Sequence, residues 1–368
     1  MRILTSKPAL RWAAPLAFVL VVGGTGLVAA TASADKKLPT LSAQELLVAV
    51  QQAKVDGLSG TVVQRADLGI PEIPGVGGAD SSEFSSLVSG THTLRVRYSG
   101  PDKARLAVHG TYGETDVFVN SRDVWVWSSR DQKATHRTLT AEQAIDHADT
   151  NPGDVPADMP KTPEEAAKKV LDALTPTTTV STDSAVEVAG HEAYELVLEP
   201  NDESLIKQVR IAVDGDTKLP LRVQVYAASK KLVFEVGYTD VNFTRPDDRE
   251  FVFNPPRGTE VVEAGTTEHK APTAQDRQQA KERAAQAKER TKIVGTGWST
   301  VVVTKLDADS GSQGSGQLQG FLSKLTPVKG TWGSGRLLAG TAFSAVLTDD
   351  GRLAVGAVAP DVLYRALG

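Results

Sequence analysis

The side chains able to do chemistry are few and scattered. His92, His109, His136, His147, His191 and His269 show no HExxH or similar helical spacing. Nothing in their order would bring two imidazoles and a base to one metal. Asp307-x-Asp309-x-Gly311 opens like a calcium loop. It lacks the third acidic ligand before the glycine and a closing glutamate, so a Gly/Ser loop is expected there instead. Gly333-Ser334-Gly335 is not a G-x-S-x-G elbow, and no base is marked for it. The GSQGSG run that starts at Gly311 does not lead into a G-K-S/T phosphate loop. The chain has no cysteine, which removes thiol nucleophiles, disulfides, Cys-bound metals and a cysteine to acylate. No nucleophile, base and orienting group can be named together, so a non-enzymatic protein without metal or cofactor is expected.

Binding is the chemistry left. Trp125 and Trp127 lie two apart in an alternating segment and therefore share one face of a strand. They either line a ligand cavity or pack as core beneath helices, and the same two readings hold for Tyr98, Phe234 and Tyr238. The candidate wall of an apolar pocket comprises Leu94, Val96, Tyr98, Leu106, Val108, Trp125, Trp127, Val223, Val225, Phe234 and Val236. Which face of each strand lines the pocket is not set by the pattern alone.

The elements that must position these residues are mostly strands. Ser42-Ala43-Gln44-Glu45 forms a capping box ahead of Leu46, Leu47, Val50 and Ala53, predicting a helix over 43–55. A strand follows over 58–66. Residues 70–90 are rich in Pro, Gly and Ser and read as a long loop that could gate a pocket. Short period-two strands are then expected over 91–98, 104–108, 116–120, 124–128 and 132–139. Two capping boxes, Thr140-x-x-Gln143 and Thr162-Pro163-Glu164-Glu165, predict a helical interlude. Strands resume over 185–188, 194–199, 209–213, 219–226, 232–238 and 241–243. The order suits one large curved antiparallel sheet covered by helices. Phe251-Val252-Phe253 reads as a last alternating strand that ends at Pro255-Pro256, since proline has no amide for a ladder.

The two ends add context. Arg2, Lys7 and Arg11 precede an uncharged apolar run over 12–30 and the small residues Ala32-Ser33-Ala34. This predicts a secretory signal over 1–34, and so an exported, secreted or envelope-associated protein that is not a lipoprotein. The net charge of −5 argues against nucleic acid. A charged, Ala/Gln-rich linker or polar helix is expected over 264–292. Residues 293–368 read as a small α+β module: a strand at 300–303, a short helix at 317–325, a hairpin around Thr348-Asp349-Asp350-Gly351, and a final helix from Pro360.

Within 40–263 the pattern LPLRVQVYA, KLVFEVGYTDVNF and FVFNPPRGTEVVE resembles the LolA/LolB/LppX/RseB superfamily. The residues that carry it are Leu219-Pro220, Phe251, Phe253, Pro255, Pro256, Gly258 and Val261. The resemblance implies a mainly β fold with α: a curved, unclosed antiparallel β-barrel (35–263) covered by helices and enclosing an apolar cavity. It implies binding of a lipid, lipoprotein or other apolar ligand outside the cytoplasm. The added C-terminal domain is similar in layout to RseB/MucB-type proteins. The alternative is therefore a sensory or regulatory protein that binds a membrane protein's extracytoplasmic domain, such as an anti-sigma factor.

Overall fold

The computed structural model describes residues 38–69, 90–110, 113–139, 171–172, 176–264, 290–306 and 322–368. The expected signal segment, most of the 70–90 loop, nearly all of the helical interlude, most of the linker and the Asp307/Asp309 loop lie outside these residues.

Helix α1 (Ala43–Gln52) starts where the capping box places it. The Ser42 amide donates to Glu45 Oε2 at 2.8 Å, and the Glu45 amide donates to Ser42 Oγ at 3.2 Å. It ends earlier than its apolar spacing implies. Ala53 is already extended, which frees Ala53 and Val55 to pack against the sheet. Gly57 then passes so close to the chain at Arg245 that a Cβ would meet the Arg245 Cα at 2.6 Å. A larger residue there would displace one of the two segments.

Eleven strands form two antiparallel meanders, β1 to β6 and β7 to β11, joined where β1 pairs with β11: β1 (Leu58–Ala66), β2 (Gly90–Tyr98), β3 (Lys103–His109), β4 (Glu114–Asn120), β5 (Asp123–Ser128), β6 (Lys133–Thr138), β7 (Thr178–Val188), β8 (His191–Pro200), β9 (Ile206–Asp214), β10 (Pro220–Ala227) and β11 (Leu232–Asn242). A twelfth, β12 (Glu260–Glu263), pairs in parallel with β6. The order β12-β6-β5-β4-β3-β2-β1-β11-β10-β9-β8-β7 is open at both ends. This is the unclosed antiparallel half-barrel that the resemblance implies.

Each strand shows the two-residue alternation of a sheet with distinct faces. The inner face carries α1: Leu46 packs with Tyr194, Leu196 and Val213. It continues as Leu58, Val62, Leu94, Val96, Tyr98, Leu106 and Val108. The outer face of β8–β11 and β1 is polar, with Glu195 held by Arg210 at 2.8 Å and Arg222 at 3.5 Å, and Glu235 held by Arg65 at 3.3 Å. Glu195 is itself buried, so its cross-strand pairs of opposite charge partner a carboxylate held away from water.

Two sequence expectations change here. The strands expected at 232–238 and 241–243 are one strand, β11, with a register shift against β1 between Thr61 and Val62. The Phe251-Val252-Phe253 segment is not a strand. Asp248–Phe251 is a 3-10 turn, and the following residues cross the outer face before β12 joins the edge. The reason lies in β4 and β5, whose outward residues Phe118, Trp125 and Trp127 are themselves apolar and need cover. Phe253 supplies it, with ring centroids 5.0, 5.2 and 6.3 Å from those three. Arg97–Glu250 and Lys103–Asp248 pairs, at 3.1 and 2.8 Å, pin the strap's start to β2 and β3.

A second sheet has the order β13-β14-β18-β17-β16-β15. Its strands are β13 (Thr291–Val294), β14 (Val301–Lys305), β15 (Thr326–Gly330), β16 (Gly333–Ala339), β17 (Ser344–Thr348) and β18 (Arg352–Gly356). Helix α2 (Pro360–Leu367) packs Leu363, Ala366 and Leu367 against Val301, Val346 and Ala354. This sheet begins at Thr291, inside the stretch expected to be linker, and β15 and β16 have no counterpart in the sequence reading. It touches the large sheet through Ala342, which packs with Ala227 and Val233. The Thr341 amide donates to Leu68 O and the Leu205 amide to Ala357 O, both at 2.8 Å, and Trp298 Nε1 donates to Thr178 Oγ1 at 2.8 Å.

Candidate functional site

On the inner face, β1, β10 and β11 enclose a mainly apolar hollow of about 160 Å³. Leu58 and Val62 come from β1; Leu219 to Val223 from the start of β10; Val236, Gly237 and Tyr238 from β11; Phe243 from just beyond it. The register explains the grouping. Val223 pairs with Val236, and Val62 with Tyr238, so successive rows of one face meet. Ala53 and Val55, just after α1, pack against the same cluster.

Of the residues expected to line a pocket, Val223 and Val236 do line this one. Leu94, Val96, Tyr98, Leu106 and Val108 pack in the cluster that backs it, in contact with Leu58 and Val62. Val225 shares the inner face with Val223 but packs toward Ala227, Val233 and Ala342, where the two sheets touch. Phe234 faces Val225 across the β10–β11 pair and is half-buried.

Trp125 and Trp127 lie on the opposite, outer face, so the structure does not bring them to the hollow. Trp125 pairs with Phe118 and stacks on His136, with ring centroids 4.1 Å apart, beneath Phe253. The signal for this was present: VFV and VWVW are apolar at both parities, which marks strands buried on both faces. The inward parity belongs to Val117, Val119, Val124 and Val126. The hollow residues that sequence reasoning left out are Leu58, Val62, Leu219, Pro220, Leu221, Arg222, Gly237 and Phe243. Leu219-Pro220 served as a marker of the resemblance, but its place on the wall follows only from the β10 register.

Two polar side chains, Arg222 and Tyr238, join the apolar ones in the lining. Burial pushes the Tyr238 phenol up to about 12 from an ordinary value of 10.0. A raised folded value means the folded state holds the proton more tightly. Its stabilising contribution is thus complete below 10 and is lost as pH rises through about 12. An absorbance titration is expected to show a tyrosine component with a midpoint of about 12 that disappears in Tyr238→Phe.

A second group of polar side chains lies on the outer face of β3–β5. Asp116 is 2% exposed and meets Arg105 Nη2 at 2.6 Å. His109 Nδ1 lies 3.6 Å from Glu114 Oε2. Burial, then the charge of Asp116 and a hydrogen bond to it, hold the Glu114 carboxyl above its ordinary 4.5, against the pull of His109 and Arg105. A raised acid favours the folded state at low pH, and that preference is lost as pH rises through the folded value. Glu114→Gln is therefore expected to match the native chain in thermal midpoint near pH ~4 and to exceed it near pH ~7. Equal midpoints at both values would refute this. Among the described residues no three metal-ligating side chains converge, and no helix is long and apolar enough to cross a membrane.

No family model and no curated protein matches this chain. Solved structures do. The MucA/MucB complex of Pseudomonas aeruginosa is 13% identical, covers 88% of this chain and 96% of its own, and has a TM-score of 0.40. An uncharacterized conserved protein from Thermus thermophilus is 12% identical, covering 60% of this chain and 98% of its own, with a TM-score of 0.33. A LolA superfamily protein from Nitrosomonas europaea is 13% identical, covering 58% and 99%, with a TM-score of 0.22. These TM-scores lie below 0.5, so the functional reading is built on this chain's own geometry.

Proposed function

We propose that the protein is an exported, non-enzymatic binder of a lipid or another hydrophobic ligand, held in the half-barrel. The observation that carries this is the hollow: an apolar concavity on the inner face of a polar-backed sheet, with few polar groups around it. Such a composition is the usual one for small-molecule sites. Its size sets what it accepts. An apolar cavity of about 150 Å³ takes a benzene-sized guest, and sites for drug-sized ligands run from about 300 Å³ upward. At about 160 Å³ the hollow suits a segment of an acyl chain and not a whole lipid. The test is titration with the apolar fluorophore N-phenyl-1-naphthylamine, whose phenyl ring matches the benzene-sized space while its naphthyl ring can remain at the mouth. Saturable uptake at one site per chain is expected, competed by added fatty chains. Absence of saturable uptake would sink the reading.

One observation favours a second reading, a regulator that grips a membrane protein's outer domain through both sheets. β13 is an edge strand of the small sheet, and its Ile293 is 68% exposed. Among the described residues that edge is unpaired, and an edge with an exposed apolar side chain can accept a partner's strand. On that reading Ile293→Asp weakens partner capture and leaves fluorophore uptake unchanged. On the ligand-binding reading, a change in the hollow does the reverse.

A further inference from the structure

The inward positions of β1 after its first turn are Val62, Gln64 and Ala66, and one of the three is polar. Gln64 is 4% exposed, and among the described residues neither its amide nitrogen nor its amide oxygen has a hydrogen-bond partner. Burying an unpaired amide destabilises a fold, and a leucine would fill the same position without that cost. The register places this amide one row beyond the residues that line the hollow. Gln64 is two residues from Val62 on the same face and sits directly opposite Val236 on β11, and both neighbours line the hollow. His92 stands opposite it on β2.

We infer that Gln64 is a specificity-determining residue of the hollow, whose amide takes the polar group at the end of an apolar ligand. This rests on the ligand-binding reading above. A carboxamide presents an N–H donor and a C=O acceptor side by side. A ligand that satisfies both must offer a carbonyl and an N–H or O–H on adjacent atoms. The class is a hydrocarbon chain ending in a carboxamide or an un-ionised carboxyl. An ester satisfies the nitrogen alone, and an alkane satisfies neither atom. The arrangement accounts for a polar residue in an apolar row: the free chain carries the unpaired amide, and the ligand relieves it.

The experiment displaces bound N-phenyl-1-naphthylamine from the full chain with octanamide, methyl octanoate and octane. Hydrophobicity alone ranks octanamide last. The inference predicts it first, ahead of the ester by about tenfold. Gln64→Leu should erase that preference and raise the thermal midpoint of the unliganded chain. If the native chain prefers octane and ester to octanamide, the inference is overturned while the hollow stands as a binding site. If Gln64→Leu keeps the preference for octanamide, another group recognises the amide and the inference also falls. If none of the three displaces the fluorophore, or the fluorophore does not bind, the ligand-binding reading fails with it. The ranking on the native chain decides the matter even if the variant does not fold.

Discussion

Phe251→Ala is expected to destabilise the large sheet by about 3–5 kcal/mol, the range for truncating a fully buried phenylalanine. Phe251 is 1% exposed and closes the 3-10 turn that leads the chain across β3 and β4. Its loss removes apolar contact and also loosens the segment that covers Phe118, Trp125 and Trp127. Phe253 is only half-buried, so Phe253→Ala is expected to cost less, about 1–3 kcal/mol. The order separates two pictures. Had 251–253 formed an ordinary strand, the two phenylalanines would share a face and similar costs. In a strap that enters by a buried turn, the first dominates. Denaturant midpoints read the order, and tryptophan emission should shift toward that of exposed indole in both variants. Equal costs, or no change for Phe251→Ala, would contradict the strap.

Val223→Asp is expected to abolish ligand uptake at neutral pH, weakening it by at least about tenfold, because it places an unpaired carboxylate on an apolar wall. Val223 is the better target of the β10–β11 pair because it lines the hollow while Val225, two residues on, packs toward the second sheet. The introduced acid would have its value raised by desolvation. Its penalty is therefore absent at low pH and grows as pH rises through the raised value. Partial recovery of uptake on acidification is the signature that separates a charge effect from simple misfolding. Thr91→Asp, at an exposed position of β2, should leave uptake unchanged. Uptake by Val223→Asp equal to that of the native chain would place the ligand elsewhere.

Much of the fold could be read from the residue pattern, because its signals are local. The period of two in TLRVRY and KARLAV, the capping box at Ser42 and the Ala189-Gly190 turn each act over a few residues. In the structure Ala189 and Gly190 both have positive φ, at 51° and 81°, the backbone that a tight hairpin requires. What escaped depends on partners distant in sequence. Phe251 and Phe253 alternate as a strand would, yet they cross a sheet because Trp125 and Trp127 face outward and need covering. β15 and β16 carry Pro327, Gly333 and Gly335, which weaken a strand pattern; they persist because β16 pairs with β17, Val328 and Leu337 pack against the α2 cluster, and an edge strand such as β15 tolerates proline. The hollow is harder still. Val223 and Val236 could be named as candidates from alternation, but the choice between parities follows from registers among β1, β10 and β11. Gln64 carries no local mark, and only the register puts it among Val62, Ala66 and Val236.

The central claim, an apolar ligand in the half-barrel, is tested most directly by native mass spectrometry of the protein made in a lipid-containing host, alongside organic extraction. The account predicts one adduct per chain, a molecule that bears a hydrocarbon chain, removed by extraction and absent from Val223→Asp. A bare chain mass that takes up no added lipid would contradict it, and would turn the search to protein partners at the β13 edge.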